Sequence, residues 1–252
     1  MTHLAIGGAA GALTFLFGYA GMWLQKLLPQ DHMSAGAREM IVAVMSLIAL
    51  FLALVLGTLV GSAYGFFALQ KSNVEEMAAQ AVQLDVALAT FRANSAPVRQ
   101  GVRAAVDQTY RAIWAEEPKP LAQSIVTLAA DFTALNADIA KLEAKTPEET
   151  VALPVIQASL HAIEKTRLRI AMQMASPIAW PLIVVVVSWA MLLFAGYGVL
   201  AHLNSTAVIA TLIGAFTVGS AVFIIVELNH PFTGVFRVPG SAMRQTLDAL
   251  AR

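Results

Sequence analysis

The 252-residue chain is 58% apolar and only 13% charged, against about 45–50% and about 25% in an ordinary soluble domain, an excess that no soluble fold of this size needs. Its sixteen basic and sixteen acidic residues cancel, so no global field recruits nucleic acid or an acidic substrate. There is no cysteine, which excludes disulfides, thiolate catalysis and Cys-ligated metals.

Four windows carry no charge: Leu4–Leu24, Met40–Leu69, Ile178–Leu200 and Ala207–Val226. Each reaches the length of about 20 apolar residues that crosses a bilayer. Only His3 offers a basic group before the first window, which therefore lacks the basic start of a signal peptide and reads as a retained span. That span ends near Gln25-Lys26, and Pro29-Gln30-Asp31-His32 makes a polar turn. The second window spans about 45 Å as a helix, more than the hydrocarbon core needs. Helix-forming sequence continues over Lys71–Arg92, so one helix is expected to carry the chain out of the membrane.

Between Lys71 and Ala175 the composition becomes that of ordinary soluble sequence. Met77, Ala81, Leu84, Leu88 and Phe91 alternate steps of four and three, and so do Leu121, Ile125, Leu128, Phe132, Leu135, Ile139 and Leu142. Such stripes are the seams of packed helices. Thr146-Pro147-Glu148-Glu149 reads as a helix start, with Thr146 as cap, Pro147 in the first turn and acids beside the positive end of the dipole. Further on, Ser176-Pro177 starts the third span, Pro181 can bend it, and the short turn His202–Thr206 makes spans three and four antiparallel neighbours.

The expected fold is thus an all-α integral membrane protein: four transmembrane helices with a helical-bundle soluble insert between spans two and three. Its divisions are helices one and two over 1–70, the bundle over 71–175, helices three and four over 176–230, and a C-terminal tail over 231–252. With four spans, the insert and both termini share one side. Near the span ends that side holds Lys71, Lys165, Arg167, Arg169, Arg237 and Arg244, and the other Lys26 and Arg38. The positive-inside rule makes the insert and termini cytoplasmic.

Gly57, Gly61 and Gly65 recur every four residues on one helix face. That spacing serves close helix packing or, alternatively, a narrow pore wall; Phe66 and Phe67 beside it would form an apolar constriction. Ala207, Thr211, Ala215 and Gly219 make a weaker small-residue stripe, and Gly18 and Gly21 are too close together to make one. No charge lies at mid-membrane, which disfavours an ion-coupled carrier but suits a channel lined by backbone, hydroxyls and apolar rings. Ser62, Thr211 and Thr217 either line such a pore or bond back to their own helix. The five histidines show no HxxxH or HExxH spacing, so no metal site is expected. No cofactor is implied either, and no catalytic constellation stands out; the chain does not read as an enzyme.

The last span ends in ELNHPFTGVFR, residues 227–237. Glu227 at a helix C-terminus faces the negative end of the dipole, at an interface where it still reaches water, with Lys71, Arg167, Arg169 and Arg237 as candidate partners. Asn229 and His230 can cap the free carbonyls and Pro231 ends the helix, after which Phe232, Val235 and Phe236 re-enter apolar surroundings. The stretch reads either as a structured membrane exit or as an ion vestibule.

Leu228, Asn229, Pro231, Phe232, Gly234, Phe236, Arg237 and Val238, at the end of the last of four spans, resemble a bacterial family of unknown function termed bestrophin-like. The layout of two spans, a helical insert and two spans resembles it over nearly the whole chain. The family usually has Asp where this chain has Asn229. Bestrophins themselves are pentameric, calcium- or volume-linked anion channels with a hydrophobic neck, so the resemblance implies a homo-oligomeric passive anion channel. Its pore would be lined by Gly57–Phe67 and its cytoplasmic mouth shaped by Glu227, Asn229, His230 and Arg237. The alternative is a non-conducting scaffold or accessory subunit whose helical insert docks a protein partner; a weaker third reading is a sensor coupling insert to membrane. The bilayer is a partner in every case, and nucleic acid in none.

Overall fold

A computed structural model describes residues 2–28, 34–91, 95–114, 133, 135–175 and 180–251. Among them the chain is helical, with no strand. The helices are α1 (Thr2–Leu27), α2 (Ala35–Ala89), α3 (Ala96–Trp114), α4 (Pro147–Ala175), α5 (Trp180–Leu200), α6 (Ser205–Leu228) and α7 (Ser241–Ala249). Four of them, α1, α2, α5 and α6, are long and apolar enough to cross a membrane. By its 55 residues, α2 is about 83 Å long, far beyond the hydrocarbon thickness of about 30 Å. The expected single helix, running from the second span into the soluble sequence beyond it, is present. The polar turn Pro29–His32, the helix start at Ser176-Pro177, and the seam from Leu121 to Phe132 lie outside the described residues.

The chain forms two compact units, one of Met1–Phe67 with Pro177–Phe236, the other of Ala68–Ser176 with Arg237–Arg252. In the first unit α1 packs closely along both α5 and α6. The hairpin does form, its second arm capped by Asn204, whose side-chain oxygen accepts the Ala207 N–H at 2.7 Å. Yet its arms pack mainly against α1 and approach each other less closely, as where the Phe194 ring covers Gly214.

Missing side chains make this close approach possible. A Cβ at Gly7 would lie 2.9 Å from the Gly219 carbonyl, at Gly11 3.1 Å from the Ala215 carbonyl, and at Gly18 2.6 Å from Thr211 Cγ2. At Gly21 and Gly198 it would collide with the backbone of Ala195 and Gly18. Between them Thr14 is fully buried and returns its hydroxyl to the Ala10 carbonyl at 2.8 Å. Lipid supplies no hydrophobic drive between helices, so contact at backbone distance is what holds them. Contrary to the sequence expectation, Gly18 and Gly21 belong to a packing face.

From the other side, α2 lays one face on this trio. Leu52 packs with Val186 and Ala190, Ala63 and Phe67 cluster with Val222 and Ile225, and Leu56 and Leu59 pack against both groups.

The second unit closes around a core of its own. All five residues of the first seam, Met77, Ala81, Leu84, Leu88 and Phe91, are at most 2% exposed. Buried in the same unit are Val98, Val102 and Val106 of α3, Leu135 and Ile139 on the helical turn 135–139, and Ile156, Leu160 and Ile163 of α4. Asp85 receives a two-pronged bond from Arg99, Nε to Oδ1 at 2.6 Å and Nη2 to Oδ2 at 2.7 Å; the bond holds the guanidinium pKa above its ordinary value. At α4, Glu149 N–H donates to Thr146 Oγ1 at 3.2 Å while Glu149 Oε2 accepts the Thr146 N–H at 3.0 Å, a reciprocal capping box.

Where sequence suggests a tail over 231–252, residues up to Phe236 belong to the first unit and the rest to the second. There α7 packs on α3. Trp114 Nε1 donates to the Val238 carbonyl at 2.9 Å, Arg244 to the Tyr110 hydroxyl at 2.6 Å, and Met243 is buried.

Replacing Gly21 by Ala is expected to cost about 1–3 kcal/mol by forcing α1 off α5, whereas an added methyl at Gly57, which meets nothing within 4 Å, leaves the protomer unharmed. Denaturant unfolding of both variants in detergent micelles checks the difference.

Candidate functional site

Two places bring the sequence candidates together: the uncovered face of α2 and the exit from α6. Only 6% of the most apolar stretch of α2 is buried, against 28% in each of the other three membrane-length helices. The uncovered side lies opposite the packed seam and runs through Leu47, Leu50, Leu54, Gly57, Gly61 and Gly65, all exposed. Leu50 and Leu54 are 68% and 62% exposed. At Gly57, Gly61 and Gly65 a Cβ would meet nothing within 4 Å, so among the described residues these glycines make no close helix contact. Phe66 and Phe67 are half-buried; Phe67 lies on the packed face, turned away from the glycines rather than continuing them. The hydroxyls of Thr58, Thr211 and Thr217 bond to carbonyls of their own helices at 2.8–2.9 Å.

At the other place, Glu227 is not at a water-accessible interface as expected: it is 1% exposed. Burying a carboxylate at the negative end of a helix is costly unless donors reach it. The loop after the helix returns to supply them. Its Val235 and Phe236 N–H groups both donate to Glu227 Oε1, the latter at 3.2 Å. This return needs Gly234, whose φ of +93° suits glycine and where a Cβ would strike the Glu227 carboxylate.

A third partner comes from the start of α1: His3 Nδ1 stands 2.9 Å from Glu227 Oε2. The His3 ring stacks on His230 with centroids 4.3 Å apart. Meanwhile Asn229 Nδ2 donates to the Ile225 carbonyl at 2.7 Å and His230 Nδ1 to the Val226 carbonyl at 2.8 Å, so both side chains cap the helix end. Pro231 and Phe232 are buried, but Val235 and Phe236 are 78% and 47% exposed and do not re-enter a core. Arg237 begins the stretch assigned to the second unit.

Compared with known proteins, the sequence matches the profile of the bestrophin-like domain over residues 12–243. The chain belongs to the bestrophin-like family. Its fold is similar to that of a bacterial bestrophin homologue from Klebsiella pneumoniae, with a TM-score of 0.73 at 13% identity, covering 96% of this chain and 98% of the other. A point variant of that homologue gives 0.74 at 12% identity over 97% of both chains. A variant described only as a membrane protein gives 0.72 at 15% identity over 98% and 99%. At these identities the likeness is one of fold. No curated protein matches the sequence.

In this bestrophin-like chain the side chains of Asn229 and His230 bond to the last carbonyls of α6, and Gly234 lets the loop return to Glu227. His3 is the member that sequence reasoning missed. It lies 224 residues from its partner, and the only local signal was a ring-bearing residue at the polar border of the first span.

Removing the ring by His3→Ala leaves Glu227 short of a buried partner, at a cost of about 1–3 kcal/mol. Gly234→Ala is expected to cost at least as much, and His3→Ala combined with Glu227→Gln less than the sum of the single changes. Unfolding midpoints of the wild type, the three single variants and the double variant read these costs and the coupling.

Proposed function

We propose that the protein is the protomer of a homo-oligomeric, passive anion channel, with the uncovered face of α2 as its pore wall. One observation carries this reading: an uncharged, membrane-length helix face bearing three glycines that, among the described residues, pack on nothing. Glycine in a helix costs about 1 kcal/mol relative to alanine, and among the described residues no contact within the protomer repays it at these three positions. A narrow lumen or a symmetry mate close by does. Leu50 and Leu54 on this face, rather than Phe66 and Phe67, supply the apolar ring that gates by excluding water. Glu227, Asn229 and His230, bonded within the protomer, hold the mouth in shape, and Arg237 is the charged candidate there. Membership of the bestrophin-like family supports both the channel and the oligomer, and no chemistry-bearing cluster among the described residues argues for an enzyme. The positive charge beside the spans supports a cytoplasmic insert and cytoplasmic termini.

A second reading, a scaffold whose helical insert docks a protein, draws on Val86 and Val151, which are 65% and 71% exposed on the second unit. Flux separates the two. Proteoliposomes of the full chain are expected to release chloride faster than potassium; Gly61→Leu should lower that flux at least roughly ten-fold, and Leu54→Ser should raise it by hydrating the ring. Oligomer mass is measured alongside. Unchanged flux through an assembled Gly61→Leu oligomer removes that face from the pore, and absence of flux from every preparation favours the scaffold.

A further inference from the structure

On the first unit, α1 and α6 enclose a groove of about 600 Å³. It runs from Leu4 to Phe15 on α1 and from Phe223 back to Leu212 on α6, about 16 Å of helix on either wall. That is close to one leaflet of a hydrocarbon core about 30 Å thick. One end lies beside His3, where the Glu227 cluster marks the polar border; the other lies midway along α1. Small residues form the floor and Phe216, 75% exposed, stands on the rim.

We infer that this groove is a binding site for one acyl chain of a bilayer phospholipid. The lining has a single polar side chain, Ser220, and its hydroxyl already donates to the Phe216 carbonyl at 2.8 Å. No side-chain donor is left in the lining, and the lone pairs of that one hydroxyl are its only side-chain acceptor, so most buried groups of a polar ligand would go unpaired. Nor does the groove suit a second copy of the chain: twelve residues line it, whereas a stable protein interface takes about 20–30 residues a side.

Gly8 gives an independent indication. Gly7, Gly11 and Gly219 are required by helix contact, but a Cβ at Gly8 would meet nothing within 4 Å. Its smallness costs helix stability without serving the packing of α1 on α6. What it does is keep the groove open, and the open space is apolar and one leaflet deep. This inference does not rest on the channel reading.

The test uses the full chain in detergent, equilibrated with dioleoyl phosphatidylcholine and measured by native mass spectrometry for retained lipid and for oligomer mass. One phosphatidylcholine per protomer is expected on the wild-type chain. Gly8→Trp and Ser220→Trp fill the groove from opposite walls. Each should retain at least roughly ten-fold less, since excluding two methylenes already removes about that much affinity. Val184→Trp, on an exposed position of α5, should retain the wild-type amount. Should one filler fail to fold by circular dichroism, the other decides. Lipid-free wild-type protein, or an unchanged adduct on a folded filler, overturns the inference. So does a filler that lowers oligomer mass while leaving the lipid count unchanged, which would assign the groove to a neighbouring protomer.

Discussion

The membrane unit depends on how closely α1 can lie between α5 and α6. In lipid, apolar side chains gain nothing by meeting each other rather than acyl tails, so association rests on contact made at backbone distance. Glycines on all three helices give that contact, and at Gly21 against Ala195 and Gly198 against Gly18 there is no room for a methyl group. Once α1 occupies the faces of both later helices, α2 has only one seam on which to pack. Its other face is left bare, and that bare face is where a function can reside.

Glu227 imposes the second constraint. An acid in the last turn opposes the helix dipole, and burial removes the water that would soften the conflict. The chain resolves it by turning back at once, so that two amides of its own loop and the ring of His3 surround the carboxylate. Gly234 is fixed by this geometry twice, through its φ and through the space a Cβ would take. The end of α6 and the start of α1 are tied by the same carboxylate, so a change to any one member is felt by both helices.

The features legible in the sequence were those written at short range. The four spans come from uncharged length, the core face of α2 beyond the membrane from the four-three alternation at Met77–Phe91, and the start of α4 from Thr146 and Glu149. Gly7, Gly11, Thr14, Gly18 and Gly21 also alternate four and three, so the packing face of α1 was present as a pattern; it escaped because it is written in small residues rather than leucines. The His3–Glu227 contact had no such signature. Its two residues meet only after the helices are packed, and neither position is marked by periodicity. Burial of Glu227 was hidden for the same reason, since a carboxylate at a span end ordinarily reads as facing water.

Two small-residue stripes thus carry one sequence signal and end in different surroundings. At the stripe on α1 an added methyl group runs into a neighbouring helix; at the glycines of the α2 stripe it meets no described residue. A stripe of the first kind has its partner inside the protomer. One of the second kind has a helix-propensity cost with no return until something else comes near, whether another protomer or a file of ions passing through a lumen between protomers. A lumen formed that way would belong to the assembly, because the face that lines it points away from the helices the same chain packs against. Uncharged walls would then leave selectivity to the mouths and gating to the leucine ring, which separates the residues that hold the protomer together from those that would control conduction.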